Sequence, residues 1–143
     1  NNIGTTKKKT KDYAGALMAF NRAISIDANY YMAYNNRGAT MMDKGSLDEA
    51  QKDFEKALQI NPNYAPAASN LSAVYFKRQN YAKAVEWANK AIAIDPNYAS
   101  AYVNRGMARE MQHDLEGACE DWHKANELGA AEGKTYYSAN CNN

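Results

Sequence analysis

Apolar residues along this chain fall in stripes at helical spacing, and the stripes recur every 34 residues. Tyr34, Gly38 and Met41 share one face of a first helix, and Leu47, Ala50, Phe54, Ala57 and Leu58 share one face of a second. The same interval relates Gly4, Gly38 and Gly106, with Ser72 at the fourth position, and it relates Ala16, Ala50, Ala84 and Ala118. Ala23, Ala57, Ala91 and Ala125 repeat it, as do Pro62 and Pro96. A period of this length is one helix-turn-helix unit copied and stacked, because no copy can bury its apolar stripe alone. The pattern predicts helices near 1–10, 13–27, 31–44, 47–60, 65–78, 81–94, 99–112 and 115–128, with a last one near 131–141. Small residues at Gly38, Ala50 and Ala57 let paired helices approach, and Phe54 fills the space between them.

Polar punctuation keeps the same interval. Asp12, Ser46, Asn80 and Asp114 precede each second helix, and all four are good N-cap types. Ser46 with Glu49 reads as a capping box. Asn61-Pro62 and Asp95-Pro96 end their helices, since a residue before proline is pushed out of the helical region.

Composition narrows the function classes. Seventeen basic and sixteen acidic residues leave a formal charge of +1, so no global field draws nucleic acid or an anionic membrane. No apolar run approaches the roughly 20 residues needed to cross a bilayer. No Gly-rich phosphate loop, nucleophile motif or metal cluster stands out, which predicts a chain that is not an enzyme and has no cofactor.

Tyr34, Gly38, Ala50, Phe54, Ala57 and Pro62 together resemble the tetratricopeptide repeat, and the C-terminal part resembles bacterial members of that family. The resemblance covers the whole chain as one domain, 1–143: a truncated copy (1–30), full copies at 31–64 and 65–98, a fourth at 99–130, and a capping helix over 131–141. Departures are local: Ser72 for glycine, Ala68 for the first aromatic, Ala88 for the residue equivalent to Phe54, and Ala28 and Ala130 for proline. The family implies an all-α right-handed superhelix whose first helices line a concave groove for a partner peptide. Counted back from Gly4, Asn1 is the fifth position of its copy, so the chain reads as a fragment of something longer.

Numbering each copy from Tyr31 as position one, the family lines its groove with positions 2, 5, 6, 9, 12 and 13. Position 6 carries Asn2, Asn36, Asn70 and Asn104. The resemblance implies a ladder of amides that pair with the backbone of an extended peptide, each amide offering donors and an acceptor; the alternative is a row of solvated asparagines. Asn35, Met42, Phe76, Lys77, Val103 and Met107 are the further candidate peptide contacts; the alternative is that several of them meet neighbouring helices instead. Phe76 and the methionines point to apolar anchoring. Pro66, Asn70, Ser100 and Asn104 occupy positions where a family carboxylate clamp needs Lys or Arg, so such a clamp is not expected.

Arg37 and Arg105 stand where the family prefers leucine, and only their copies carry Asp53 and Asp121 sixteen residues later. The other copies have Ile3 with Ala19 and Leu71 with Trp87. An Arg–Asp pair bridging the two helices of copies two and four is the expectation. Cys119 and Cys141 face each other if the last helices fold back around Gly129-Ala130, and the surrounding run looks like a C-terminal pattern of bacterial members. They are either a disulfide, which would lean the localisation toward an extracytoplasmic, oxidising compartment, or two buried thiols. His123 adds a third candidate ligand, short of the four a structural zinc needs. Lys7-Lys8-Lys9 with Lys11 form a solvated helix end whose charge complements the helix dipole, the alternative being a site for phosphate or an acidic partner, and recurrent Tyr30, Tyr64 and Tyr98 point to packing between copies.

The function these readings predict is a non-catalytic scaffold that binds a partner peptide or protein segment in its groove, with no nucleic acid and no membrane insertion. The alternatives are self-association through the truncated N-terminal copy and a recruiting part of a larger enzyme.

Overall fold

The computed structural model describes residues 12–141, which divide into two compact units, one up to Ala67 and one from Ala68. The helix expected near 1–10, with Asn2 and the lysine run, lies outside the described residues. Among the described residues the regular structure is entirely helical: α1 (Tyr13–Ile26), α2 (Tyr31–Asp43), α3 (Leu47–Ile60), α4 (Ala65–Lys77), α5 (Tyr81–Ile94), α6 (Ala99–Met111), α7 (Leu115–Glu127) and α8 (Ala131–Asn140). None is long and apolar enough to cross a membrane. The expected helices and the observed ones agree to within a residue or so at each end.

The first unit packs α2 against α1 and α3, and the second packs α5 against α6, α6 against α7, and α7 against α8. Their cores are built of alanines with a few large side chains between them. Ala16, Phe20, Ala50, Phe54 and Ala57 are buried in the first, and Ala84, Ala91, Ala118, Trp122 and Ala125 in the second. Gly38 and Gly106 permit this closeness. A Cβ on Gly38 would sit 2.7 Å from Phe54 Cε1, and one on Gly106 would sit 2.5 Å from Trp122 Nε1. Trp122 has no room to give, being fully buried. Gly106→Ala is therefore expected to destabilise by about 1–3 kcal/mol from overpacking, against a helix-propensity gain of at most about 1 kcal/mol. A lowered urea midpoint checks it; a raised one would show that the indole yields.

The turns explain why the period is so regular. Gly45, Gln79 and His113, each 34 residues from the next, all have positive φ (89°, 62° and 66°). In each turn the amide of this residue bonds back to a helix carbonyl three residues earlier (Gly45 to Met42, Gln79 to Phe76, His113 to Glu110), and the next amide reaches five back (Ser46 to Met41, Asn80 to Tyr75, Asp114 to Arg109). This is a Schellman stop, with the left-handed residue satisfying carbonyls that the helix end orphans. The next helix starts at once. Asp12, Asn80 and Asp114 accept from the amides of Gly15 (3.0 Å), Lys83 (3.3 Å) and Gly117 (2.9 Å). Ser46 does not cap α3 through its side chain, so the capping box expected there is absent. Glu49 instead lines a cleft beside Arg37, whose charge attracts it.

Second helices stop by another device. Asp27, Asn61 and Asp95 are extended (φ −136°, −131° and −139°), as a following proline demands for the latter two. Each side chain also accepts from the amide two residues on: Asn29 (3.0 Å), Asn63 (3.2 Å) and Asn97 (3.0 Å). This Asx turn recurs at Asp27, where Ala28 stands in place of proline, so the turn keeps its form without the ring. The fourth copy departs: Gly129, at φ 97°, ends α7 and redirects the chain into α8.

Candidate functional site

In the second unit the first helices of two copies, α4 and α6, flank a cleft of about 350 Å³. It is lined by Ala73, Phe76, Lys77, Gln79, Tyr81, Asn104, Met107 and Met111, and six of these eight stand at groove positions of their copies. Phe76 meets Tyr81 edge to face, with centroids 5.5 Å apart, and the pair forms an aromatic wall. The two methionines form the apolar side contributed by α6, and Lys77 is exposed at the end of α4. The cleft thus offers a flexible apolar surface with one cation, Lys77, at its edge and two side-chain amides, Gln79 and Asn104, among its lining. The amide of Asn104 matters most, because it stands at a groove position.

That amide is committed on one side. Asn104 Nδ2 donates to the Ser69 carbonyl oxygen and to Ser69 Oγ, both at 3.0 Å, tying α6 to α4. Its Oδ1 accepts from no described residue. Val103 and Asn35 are buried, at 8% and 6% exposure. Val103 packs with Tyr102 and Ala125 in a core cluster that Met107 borders. Asn36 and Met42 are half-buried on α2, and Asn70 is half-buried on α4. The Asn36 carbonyl accepts from Thr40 Oγ1 at 3.0 Å. Phe76, Lys77, Asn104 and Met107 are the expected site residues that the structure brings into one cleft. Gln79 and Tyr81 are the lining residues that sequence reading missed. Tyr81 follows the N-cap Asn80 directly, and its position is aromatic or leucine in every copy (Tyr13, Leu47, Tyr81, Leu115), a signal that was legible as a stripe but not as a wall.

Each arginine–aspartate pair is bidentate. Arg37 donates through Nε and Nη2 to Asp53, both at 2.8 Å, and Arg105 does the same to Asp121 at 3.0 and 2.7 Å. Each also has a third partner. Arg37 Nη1 donates to Asn21 and Arg105 Nη1 to Asn89, both at 2.9 Å. The guanidinium therefore joins three consecutive helices, using its planar fork as lysine could not. Each lies near the ring three residues before it, Tyr34 at 5.4 Å and Tyr102 at 5.5 Å. The Asp53 hydrogen bonds hold the Arg37 pKa above its ordinary value despite partial burial. Its charge is accordingly fixed at any pH at which the protein is handled.

Cys119 and Cys141 are joined by a disulfide with Cα atoms 5.8 Å apart. His123 lies 3.2 Å from Glu127 Oε1 and against the Tyr137 ring. With both sulfurs bonded, the two cysteines and His123 cannot form a metal site.

Sequence models described as tetratricopeptide repeat match residues 1–30, 29–97 and 87–120. No curated protein matches the chain. Among solved structures, a crystal structure of MamA superposes with a TM-score of 0.73 at 22% identity, over 95% of this chain and 91% of that one. The first TPR of Spaghetti (RPAP3), solved bound to the HSP90 peptide SRMEEVD, superposes with a TM-score of 0.72 at 26% identity, over 79% of this chain and 91% of that one. Matches that follow one another along the chain, the recurring caps and turns, and glycines packed against an aromatic of the next helix all have one source: the chain belongs to the tetratricopeptide repeat family, with that family's all-α solenoid fold.

Proposed function

We propose that this protein is a non-catalytic interaction scaffold, a single repeat domain over 1–143 that binds an extended segment of a partner protein on the first helices of its repeats. The observation that carries this is the α4–α6 cleft, in which Phe76, Met107 and Met111 at groove positions, with Tyr81 beside them, offer an open apolar seat. The peptide-bound state of the similar RPAP3 repeat domain supports the mode of binding. The anchor differs from a carboxylate clamp, because Pro66, Asn70, Ser100 and Asn104 supply no cation at the positions that would make one. The ligand proposed here inserts an apolar side chain beside Met107 while Asn104 Oδ1 accepts one of its backbone N–H groups. Methionines and an aromatic wall suit such a side chain without demanding one shape.

The test is selection from a random peptide display library on the intact protein, followed by fluorescence anisotropy of the winners. Selected peptides are expected to share an apolar residue and to bind Met107→Glu at least about tenfold more weakly, the loss expected when about 1.4 kcal/mol of apolar contact disappears. Circular dichroism confirms that the variant is folded. Undiminished binding to folded Met107→Glu would overturn the reading. Asn104→Ala reports something else: it also frees Ser69, so its effect combines ligand contact with the tie between α4 and α6.

A further inference from the structure

The two Asn–Arg–Asp sets are alike, but the residue one turn beyond the arginine differs, and that difference leaves a space. In the second unit Asp121 receives two guanidinium groups: Arg105, and Arg109 one helical turn further along α6, whose Nη1 donates to Oδ2 at 3.0 Å. In the first unit the residue one turn beyond Arg37 is Met41, whose thioether has no proton to donate. Among the described residues Asp53 is paired with Arg37 alone, and it is the less covered carboxylate, with a side chain 10% exposed against 3% for Asp121. A cleft of about 320 Å³ opens beside it, lined by Asn21, Arg37, Met41, Glu49, Lys52 and Asp53.

We propose that this cleft is a docking site for an arginine side chain exposed on a partner protein, the guanidinium taking on Asp53 the place that Arg109 takes on Asp121. The chain itself supplies the precedent for that occupant. Repulsion from Arg37 does not forbid it, since Arg105 and Arg109 share Asp121 in the same way. Glu49 strengthens the case, because it adds a second carboxylate where the second unit has Gly117. A guanidinium, planar and weakly hydrated, matches a carboxylate edge better than an ammonium does. Lys52 is the opposing charge on the rim, and it competes for the same two carboxylates. The occupant is a protein side chain rather than a free amino acid because the one seated in the second unit is delivered by a helix. This site is separate from the α4–α6 cleft and does not depend on it.

The experiment is a ¹⁵N–¹H titration of the intact protein at low salt with a short capped peptide carrying one arginine. The same peptide with citrulline, and free L-arginine, complete the set. The arginine peptide is expected to shift the Met41, Glu49 and Asp53 amides saturably, and the citrulline peptide, which keeps the shape without the charge, to leave them in place. Met41→Arg, which copies the arrangement already folded in the second unit, is expected to weaken binding at least tenfold, and Lys52→Ala to tighten it severalfold. Absent shifts, equal shifts with citrulline, or undiminished binding to Met41→Arg would overturn the site. Free L-arginine saturating it at lower concentration than the peptide would overturn its assignment to a protein partner.

Discussion

Asp121→Ala is expected to cost the second unit about 3–5 kcal/mol, the usual loss when one partner of a buried charge pair is removed. Asp121 is 2% exposed and accepts from both Arg105 and Arg109. Alanine there leaves two neighbouring guanidiniums with no carboxylate between them. The loss is to be read as a fall in the urea midpoint together with faster amide exchange in α6 and α7, because repeat arrays unfold locally as well as globally. The chain contains its own control. The third copy has Leu71 and Trp87 at the equivalent pair of positions, with Leu71 fully buried. The double change Arg105→Leu/Asp121→Trp is accordingly expected to destabilise less than Asp121→Ala alone, since an apolar pair of adequate volume can replace a buried ion pair at little net cost. A single change costing under about 1 kcal/mol would mean that the pair behaves as a surface ion pair.

Reducing the Cys119–Cys141 disulfide, or replacing both cysteines with serine, is expected to cost about 3 kcal/mol and to loosen α8 first. The figure follows from closing a loop with a sequence separation of 22, on the chain-entropy account, which is model-dependent. Loosening is local because α8 is the last described helix and rests almost wholly on α7. Gly133 is its one buried residue. A Cβ there would lie 2.7 Å from the Asn126 nitrogen and from the Trp122 carbonyl oxygen. Tyr136 and Tyr137 supply ring contacts, each 5.4 Å from a ring of α7, Trp122 and His123 respectively. Loss of amide protection over 131–141, with a change in tryptophan fluorescence, is the expected signature on adding dithiothreitol. Unchanged protection would show that Gly133, Tyr136 and Tyr137 suffice to dock the helix.

The repeat frame was legible from residues that act within a few positions of themselves. A Schellman turn needs a left-handed residue and carbonyls three to five back, and an N-cap needs an amide three ahead. Asp12, Asn80 and Asp114 therefore behave as their sequence context implies. The box expected at Ser46 fails on its other half: the Ser46 amide is already spent on the Met41 carbonyl in the preceding turn, and Glu49 lines the cleft with Arg37 instead; nothing in the structure explains why the Ser46 hydroxyl does not cap. Likewise the spacing of Arg37 and Asp53 was visible, whereas Asn21 sixteen residues earlier was not read as a third member, although Asn89 repeats it 68 residues on.

The candidate site divides in the same way. Phe76, Lys77, Asn104 and Met107 could be named from their place in the copy, but not that Tyr81 would wall the cleft or that Ser69 would take the amide of Asn104. Val103 and Asn35 occupy groove positions too, and their burial comes from the neighbouring helices. By itself the sequence determined the helices, their stops and starts, and the period that stacks them, because those depend on hydrogen bonds spanning at most five residues and on stripes at fixed spacing. Only the tertiary structure decided which polar groups are already spent and which face an open cleft. Those outcomes depend on side chains 12 to 35 residues apart meeting across packed helices, beyond the reach of the one-helix patterns from which caps and stripes are read.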